Sequence, residues 1–132
     1  MFKPLILVVD DDEDSRLLVE KVLSRQGFEV VTASDGKTAL EVAAAQPLDL
    51  IILDVMMPGM DGNEVQSRLK ETDKTRNIPI IMLTALNDSE QVERVMNSSP
   101  KWYITKPFDA KYLLKRVRQV LFNSHHPRPL TE

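Results

Sequence analysis

The chain has 132 residues, 42% of them hydrophobic and none of them cysteine, and its formal net charge is −3. This length favours one compact domain with its own core, and the lack of cysteine excludes disulfides, thiolate metal sites and a cysteine nucleophile. The N-terminal apolar run, residues 4–9, is too short for a signal-peptide core or a membrane span. The sequence therefore predicts a single-domain cytoplasmic protein with no membrane segment and no general attraction for nucleic acid.

Short apolar runs alternate with amphipathic stretches along the chain. The apolar runs predict five strands, at residues 5–9, 29–33, 48–53, 80–83 and 103–105. After each strand, hydrophobic residues spaced three and four apart predict a helix. This βα repeat indicates an α/β fold, a single doubly wound parallel sheet of five strands in the flavodoxin-like order 2-1-3-4-5 with helices on both faces. We expect the domain to span residues 4–122, followed by a flexible tail or the start of a linker over residues 123–132.

Acidic residues stand at the ends of two predicted strands. Asp10 and Asp11 follow the first strand, and Asp54 follows the third, shortly before a Pro/Gly loop. Strands 1 and 3 are neighbours in the predicted order, so their carboxyl ends bring the three carboxylates together. Crowded carboxylates repel one another unless a cation lies among them, and Mg²⁺ prefers such hard oxygen ligands. The sequence therefore predicts a magnesium site at this edge of the sheet.

The last two strands add a hydroxyl and an ammonium group to the same edge. Thr84 follows the fourth predicted strand and Lys106 follows the fifth. Mg²⁺ and the lysine together carry +3, which balances the −3 of the three aspartates. Such a site can receive a phosphoryl group, because the cations neutralise its oxygens while a carboxylate attacks the phosphorus.

Each of these residues also has a simpler explanation when taken singly. Asp12 is expected to cap the first helix. In the simpler explanation, Asp10 and Asp11 do no more than complement the dipole of that helix. Thr84 could be a capping hydroxyl and Lys106 a solvated charge. The convergence of four strand ends favours a site instead. Basic residues of the last helix are expected only to favour its C-terminus: Lys111, Lys115, Arg116 and Arg118.

Ordered motifs on all five βα units match one known family. They are Val9-Asp10-Asp11, Gly27-Phe28, Asp35-Gly36, Asp54 with Pro58 and Gly62, Thr84-Ala85, and Lys106-Pro107-Phe108. On these residues the chain resembles the receiver domain of two-component response regulators, in particular the chemotaxis regulators, over residues 4–122. The resemblance implies a phosphorylation-controlled signalling domain that is not an enzyme and whose only reactions are its own phosphorylation and dephosphorylation.

The resemblance also implies a role for each residue of the site. Asp54 would be the phosphoacceptor, and Thr84 and Lys106 would bind the phosphoryl oxygens. Mg²⁺ would be held by three carboxylates and one backbone carbonyl, those of Asp10, Asp11, Asp54 and Met56. The peptide bond before Pro107 would be cis, which the sequence alone only allows.

The family's signalling route is implied in the same way. The phosphoryl donor would be a phosphohistidine on a sensor histidine kinase or a histidine phosphotransfer protein. On activation Thr84 would move towards the phosphoryl group, and Tyr103 would turn into the vacated space. This change would alter the face formed by the fourth helix, fifth strand and fifth helix, where a downstream protein would bind. Neither nucleic acid nor membrane is expected as a partner of this domain.

One departure from the family concerns self-association. Many receivers that drive winged-helix DNA-binding domains carry two acids where this chain has Lys101 and Trp102. Those acids pair with basic residues of a second copy in a symmetric dimer, so their replacement predicts a monomer. Trp102 would then either anchor another partner or only pack over a neighbouring side chain.

Three other functions are compatible with parts of this pattern. The chain could be the receiver fragment of a longer regulator with a DNA-binding or enzymatic output domain. A metal-dependent hydrolase would carry an acid two residues after its nucleophile, where this chain has Met56. A phosphorylation-independent scaffold would have lost an acid or the lysine of the site, and this chain has kept them.

Overall fold

The computed structural model describes residues 3–85 and 102–125, which form one parallel sheet flanked by helices. The strands are β1 (Leu5–Val9), β2 (Glu29–Ala33), β3 (Leu50–Asp54), β4 (Ile80–Ala85) and β5 (Trp102–Lys106). The described helices are α1 (Glu13–Arg25), α2 (Gly36–Ala45), α3 (Gly62–Leu69) and the C-terminal helix (Ala110–His125). The sheet order is β2-β1-β3-β4-β5, which confirms the predicted fold class. The fourth predicted helix, after β4, lies outside the described residues.

Each of the four described helices begins at an aspartate that caps its first turn; in the C-terminal helix Asp109 Oδ1 accepts from the Tyr112 N–H at 2.7 Å. The side chains of Asp12, Asp35 and Asp61 each accept a hydrogen bond from the backbone N–H three residues later, at 2.9, 2.7 and 2.9 Å. Each bond satisfies a donor that the helix leaves unpaired, and each cap stabilises its helix by about 1 kcal/mol. The predicted cap at Asp12 is confirmed. None of the described helices combines the length and the apolar character needed to cross a bilayer.

The hydrophobic core is divided by the sheet into two clusters. Alternate residues of each inner strand point to opposite faces, so Leu7 and Val9 of β1 join one cluster while Ile6 and Val8 join the other. Helices α2 and α3 cover the first face; α1 and the C-terminal helix cover the second. The inner strands are therefore apolar apart from Asp54 and Thr84 near their carboxyl ends, as expected of strands covered on both faces.

Three strands have boundaries that differ from the prediction, and Asp54 is the last residue of β3 rather than the residue after it. β3 begins at Leu50 rather than residue 48, because the Asp49 carboxylate accepts a hydrogen bond from the Leu5 N–H at 2.8 Å and fixes that corner. β4 and β5 are longer than predicted and end at Ala85 and Lys106. Thr84 and Lys106 therefore belong to paired strands rather than to the loops that follow them, which holds their backbones in the sheet.

Candidate functional site

Three carboxylates meet at the carboxyl ends of β1 and β3. Asp10, Asp11 and Asp54 each offer one oxygen, and these oxygens all lie within 4.8 Å of one another. Asp10 is 1% exposed and Asp54 is 6% exposed, whereas Asp11 is open to solvent. The structure thus brings together the three acids that the sequence places at adjacent strand ends, two of them out of water.

Lys106 supplies a positive charge from the edge of the sheet. Its Nζ lies 3.3 Å from Asp10 Oδ2 and 3.6 Å from Asp54 Oδ1, and its side chain is 29% exposed. One ammonium group therefore contacts both buried carboxylates while keeping access to solvent. The Lys106–Pro107 peptide bond is cis, in agreement with what the family resemblance implies.

Asp54 has an altered acidity. Burial raises the pKa of its carboxyl group from 3.8 to about 7, an effect that the neighbouring Asp10 strengthens and the Lys106 ammonium opposes. The carboxyl group of the metal-free domain therefore exchanges its proton near neutral pH. A further cation close to this group would favour its ionised form.

Hydrogen bonds from backbone N–H groups orient the buried acids. Asp10 Oδ1 accepts from the Asp12 N–H at 3.0 Å, and Asp54 Oδ1 accepts from the Met56 N–H at 3.3 Å. Arg16 donates from Nη1 to the backbone oxygen of Asp10 at 2.9 Å, which ties α1 to the end of β1. Arg16 is not predictable from the sequence, because an arginine in the first turn of a helix carries no signal that separates it from a surface charge.

Gly62 allows α3 to pack directly against the end of β3. A Cβ atom on this residue would lie 2.5 Å from the backbone oxygen of Asp54 and 2.9 Å from Val55 Cα. The Gly62 N–H donates to the Val55 oxygen at 3.0 Å, so the two backbones are in contact. A side chain at this position would push the helix away from the strand that carries Asp54.

Thr84 and Tyr103 occupy the neighbouring strands. Leu83 pairs in register with Asp54, so Thr84 lies one residue further along β4. Thr84 is fully buried, and its Oγ1 has no hydrogen-bond partner among the described residues. Tyr103 on β5 is partly buried against the cluster on the α2 and α3 side. An unpaired buried hydroxyl is costly, so Thr84 is a donor that still lacks its acceptor.

The donor set fits a hard divalent cation. With all three carboxylates ionised, the cluster and its one ammonium group carry a net charge of −2, and the three carboxylates supply the hard oxygen ligands that such a cation prefers. Met56, the fourth predicted ligand, is 50% exposed on the loop after β3. The structure therefore brings the three predicted carboxylate ligands together at one edge of the sheet, while the Met56 carbonyl as a further ligand stays a prediction.

Comparison with known proteins supplies the family context. A family profile for the response regulator receiver domain matches residues 6–118. The chain is 45% identical over 115 residues to the response regulator PleD of Caulobacter vibrioides, covering 87% of this chain and 25% of PleD. It is 42% identical over 118 residues to the transcriptional regulatory protein AfsQ1 of Streptomyces coelicolor, covering 89% of this chain and 51% of that protein. The chain thus spans between a quarter and about half of these relatives.

Solved structures agree with this assignment. The chemotaxis protein CheY4 of Vibrio cholerae superposes with a TM-score of 0.83 at 34% identity, covering 90% of this chain and 99% of that one. A putative response regulator from Chloroflexus aurantiacus superposes with a TM-score of 0.85 at 33% identity, covering 91% and 98% of the two chains. The sheet and its helices are therefore shared with these proteins over nearly their whole length.

Proposed function

The chain belongs to the family of response regulator receiver domains, and we propose that it accepts a phosphoryl group on Asp54 and signals through the resulting change of conformation. The observation that carries this proposal is the position of Asp54, a buried carboxylate within reach of a lysine and two further acids. A nucleophile, a cation and a metal-binding acid pair at one point are the groups that phosphoryl transfer requires.

The proposed reaction is an in-line displacement. A carboxylate oxygen of Asp54 forms a bond to phosphorus, the bond from phosphorus to the donor's leaving group breaks, and the leaving group takes its electron pair and a proton from solvent. The Lys106 ammonium stabilises the negative charge of the transferred oxygens. Mg²⁺ held by three carboxylates and one backbone carbonyl, those of Asp10, Asp11, Asp54 and Met56, would neutralise phosphoryl charge further.

The buried hydroxyl of Thr84 supports a route from the site to the surface. We expect its unpaired Oγ1 to donate to a phosphoryl oxygen on Asp54, since it lies one residue beyond the partner of Asp54 in the sheet. Movement of Thr84 would leave space beside β5, and the partly buried Tyr103 would turn into it. The surface formed by β5 and the C-terminal helix would then change its shape and its partner affinity.

The proposed phosphoryl donor is a phosphohistidine of a sensor histidine kinase or of a histidine phosphotransfer protein, and the proposed recipient of the signal is a protein that binds the β5 surface. The domain would turn over no external substrate. A hydrolase is disfavoured because Met56 offers no carboxylate two residues after Asp54. The cytoplasmic location and the domain limits expected from the sequence stay predictions.

Labelling with a small phosphodonor tests the proposal. The chain would be incubated with acetyl phosphate and Mg²⁺, and intact mass would be followed for one phosphoryl group that is stable in acid and lost in base. Asp54→Asn should abolish labelling and keep the fold, whereas Asp73→Asn, at a 94% exposed side chain, should label like the wild type. Stoichiometric labelling of the Asp54→Asn protein at another residue would refute the assignment.

A further inference from the structure

Arg116 of the C-terminal helix contacts two aromatic rings. Its guanidinium carbon lies 5.5 Å from the centroid of the Trp102 ring and 5.4 Å from that of Tyr112. Nη2 donates to the Tyr112 hydroxyl at 3.0 Å, and Nη1 donates to Gln119 Oε1 at 2.9 Å. The rings and hydrogen bonds order the Arg116 side chain, whereas arginine side chains on protein surfaces are usually flexible. Binding of a ligand to Arg116 would therefore cost little further side-chain entropy.

The stack borders a cavity at the edge of the sheet. The cavity has a volume of about 350 Å³ and lies between β5 and the C-terminal helix, lined by Trp102, Tyr103, Thr105, Tyr112 and Arg116. We call these five residues the aromatic groove. Its volume suits an apolar side chain of a partner, and tryptophan, tyrosine and arginine are the residue types that dominate binding energy at protein interfaces.

The C-terminal helix beside the groove is positively charged. From Ala110 to Asn123 the C-terminal helix contains no acidic residue, and the exposed Lys111 and Lys115 each directly precede a member of the stack. Within residues 3–85 and 102–125, the ion pairs of 4.0 Å or less involve other cations, so these lysines and Arg116 have no carboxylate partner there. Arg116 uses one N–H on each of its two terminal nitrogens, and since its Nε is buried, the second N–H on each terminal nitrogen is left for a ligand. The C-terminal helix therefore offers cationic donors, one of them the ordered Arg116, beside a cavity with aromatic walls.

From this combination we infer that the aromatic groove binds an acidic segment of a partner protein, with a carboxylate on Arg116 and an apolar side chain in the cavity. A second copy of the chain is a poorer occupant, because two-fold pairing would bring the same lysines and Arg116 face to face. A nucleic acid is poorer too, because the net charge of −3 opposes a polyphosphate and the two rings are already stacked on Arg116.

Tyr103 links the groove to the phosphorylation site. It lines the cavity and lies on the strand that ends at Lys106, so a change in its side chain alters the volume that a partner meets. This coupling rests on the function proposed above, whereas the acidic preference rests on Arg116 and its surroundings. Phosphorylation of Asp54 should therefore change the affinity of the groove for an acidic segment, while the preference for acidic residues stays the same.

Selection from a displayed library of random short peptides tests the inference on the whole chain. Enriched peptides would be synthesised and titrated while the fluorescence of Trp102, the one tryptophan of the sequence, is followed. We expect them to carry aspartate or glutamate beside an apolar residue. Arg116→Gln should weaken their binding roughly tenfold, and Arg116→Lys should weaken it less, because lysine keeps the charge but loses the planar donors. Arg68→Gln, at an exposed arginine of α3, should leave binding unchanged.

The remaining outcomes separate this inference from the proposed function. Peptides without an acidic excess, no binding that depends on Arg116, or Arg116-dependent binding only of duplex DNA, anionic vesicles or a second copy would each overturn the inference. Failure of Asp54 to take a phosphoryl group, with acidic peptides still bound through Arg116, would refute the proposed function alone. Labelled Asp54 with unchanged peptide affinity would refute the coupling through Tyr103.

Discussion

Lys106 Nζ lies 3.3 Å from Asp10 Oδ2, although 96 positions separate the two residues in the chain. The strands that carry them are not neighbours, since β3 and β4 lie between β1 and β5. The contact therefore forms only when the whole sheet is assembled. Because Asp10 is buried, loss of the lysine would leave a carboxylate in a poorly solvated place without its counter-ion.

The first prediction concerns stability as a function of pH. Burial raises the pKa of Asp54 from 3.8 to about 7, so the folded protein binds this proton more tightly than the unfolded chain. Stability from this group is present in full below about pH 4 and declines as pH rises through 7. Asp54→Asn should lack the decline. In EDTA we compare the free energy of unfolding of Asp54→Asn with that of the wild type. From pH 4 to pH 8 this difference should shift in favour of the variant by at least about 1.4 kcal/mol.

Urea titrations across this range provide the measurement, and Asp73→Asn is the matched control because its side chain is 94% exposed. If the free energies of unfolding of Asp54→Asn and the wild type changed in parallel with pH, the raised pKa of the buried carboxyl group would be refuted.

The second prediction concerns the crowding of the acids. Asp11→Ala removes one carboxylate from the cluster and leaves the buried pair in place. Repulsion in the metal-free protein falls, so the melting temperature in EDTA should rise by roughly 1–3 °C, while Mg²⁺ binding and phosphorylation weaken. Thermal scans with EDTA and with Mg²⁺ measure both effects. A clear fall in the EDTA melting temperature would mean that repulsion is not the dominant cost.

The third prediction concerns the lifetime of the phosphorylated state. In the family, the positions two beyond the phosphoacceptor and two beyond the switch threonine flank the path of the attacking water, and here they are Met56 and Leu86. Leu86 lies outside the described residues; Met56 is 50% exposed beside Asp54. Neither side chain orients water well, so we expect slow hydrolysis of the phosphorylated protein, accelerated roughly tenfold by Met56→Asn. Loss of the phosphoryl group would be followed by intact mass. A fast loss that Met56→Asn leaves unchanged would contradict the prediction.

The fourth prediction compares two glycines near the site. Gly62→Ala places a methyl group 2.5 Å from the Asp54 backbone oxygen, so it should destabilise the fold by about 1–3 kcal/mol and slow phosphorylation. Gly59 has a φ of +74° and open space around its Cα, so Gly59→Asn should cost less, because asparagine tolerates this conformation. Chemical denaturation measures the loss in free energy of unfolding for both variants. Equal losses would argue against a close backbone contact at Gly62.

The fifth prediction concerns oligomeric state. Lys111 and Lys115 are exposed on a helix that has no acidic residue between Ala110 and Asn123, and Lys101, which prompted the expectation, lies outside the described residues. Two-fold pairing of this surface would be repulsive. Light scattering of the beryllofluoride-activated protein at micromolar concentration should therefore give the monomer mass. A tight activated dimer through the C-terminal helix would refute the prediction.

The sequence predicted the sheet order and the convergence of Asp10, Asp54 and Lys106, because side chains at the ends of parallel strands must share an edge once the order is known. It did not predict the contact of Arg116 with Trp102 and Tyr112. That contact depends on the rotation of the C-terminal helix about its axis and on rotamers, neither of which hydrophobic periodicity encodes. Of the two expectations for Trp102, packing over a neighbouring side chain is observed, and its role as an anchor stays a prediction.

The division of the core into two clusters sets the direction in which the acidic side chain after β1 points. Ile6 and Val8 face one side of the sheet while Leu7 and Val9 face the other, so each residue of β1 has its direction set by whether its position is odd or even. Inserting one residue into β1 would exchange the two sets and turn the following Asp10 away from Asp54. Inserting two would restore the direction but carry the carboxylate past the edge. The chemistry of this domain therefore depends on the parity and the length of its strands as much as on their composition.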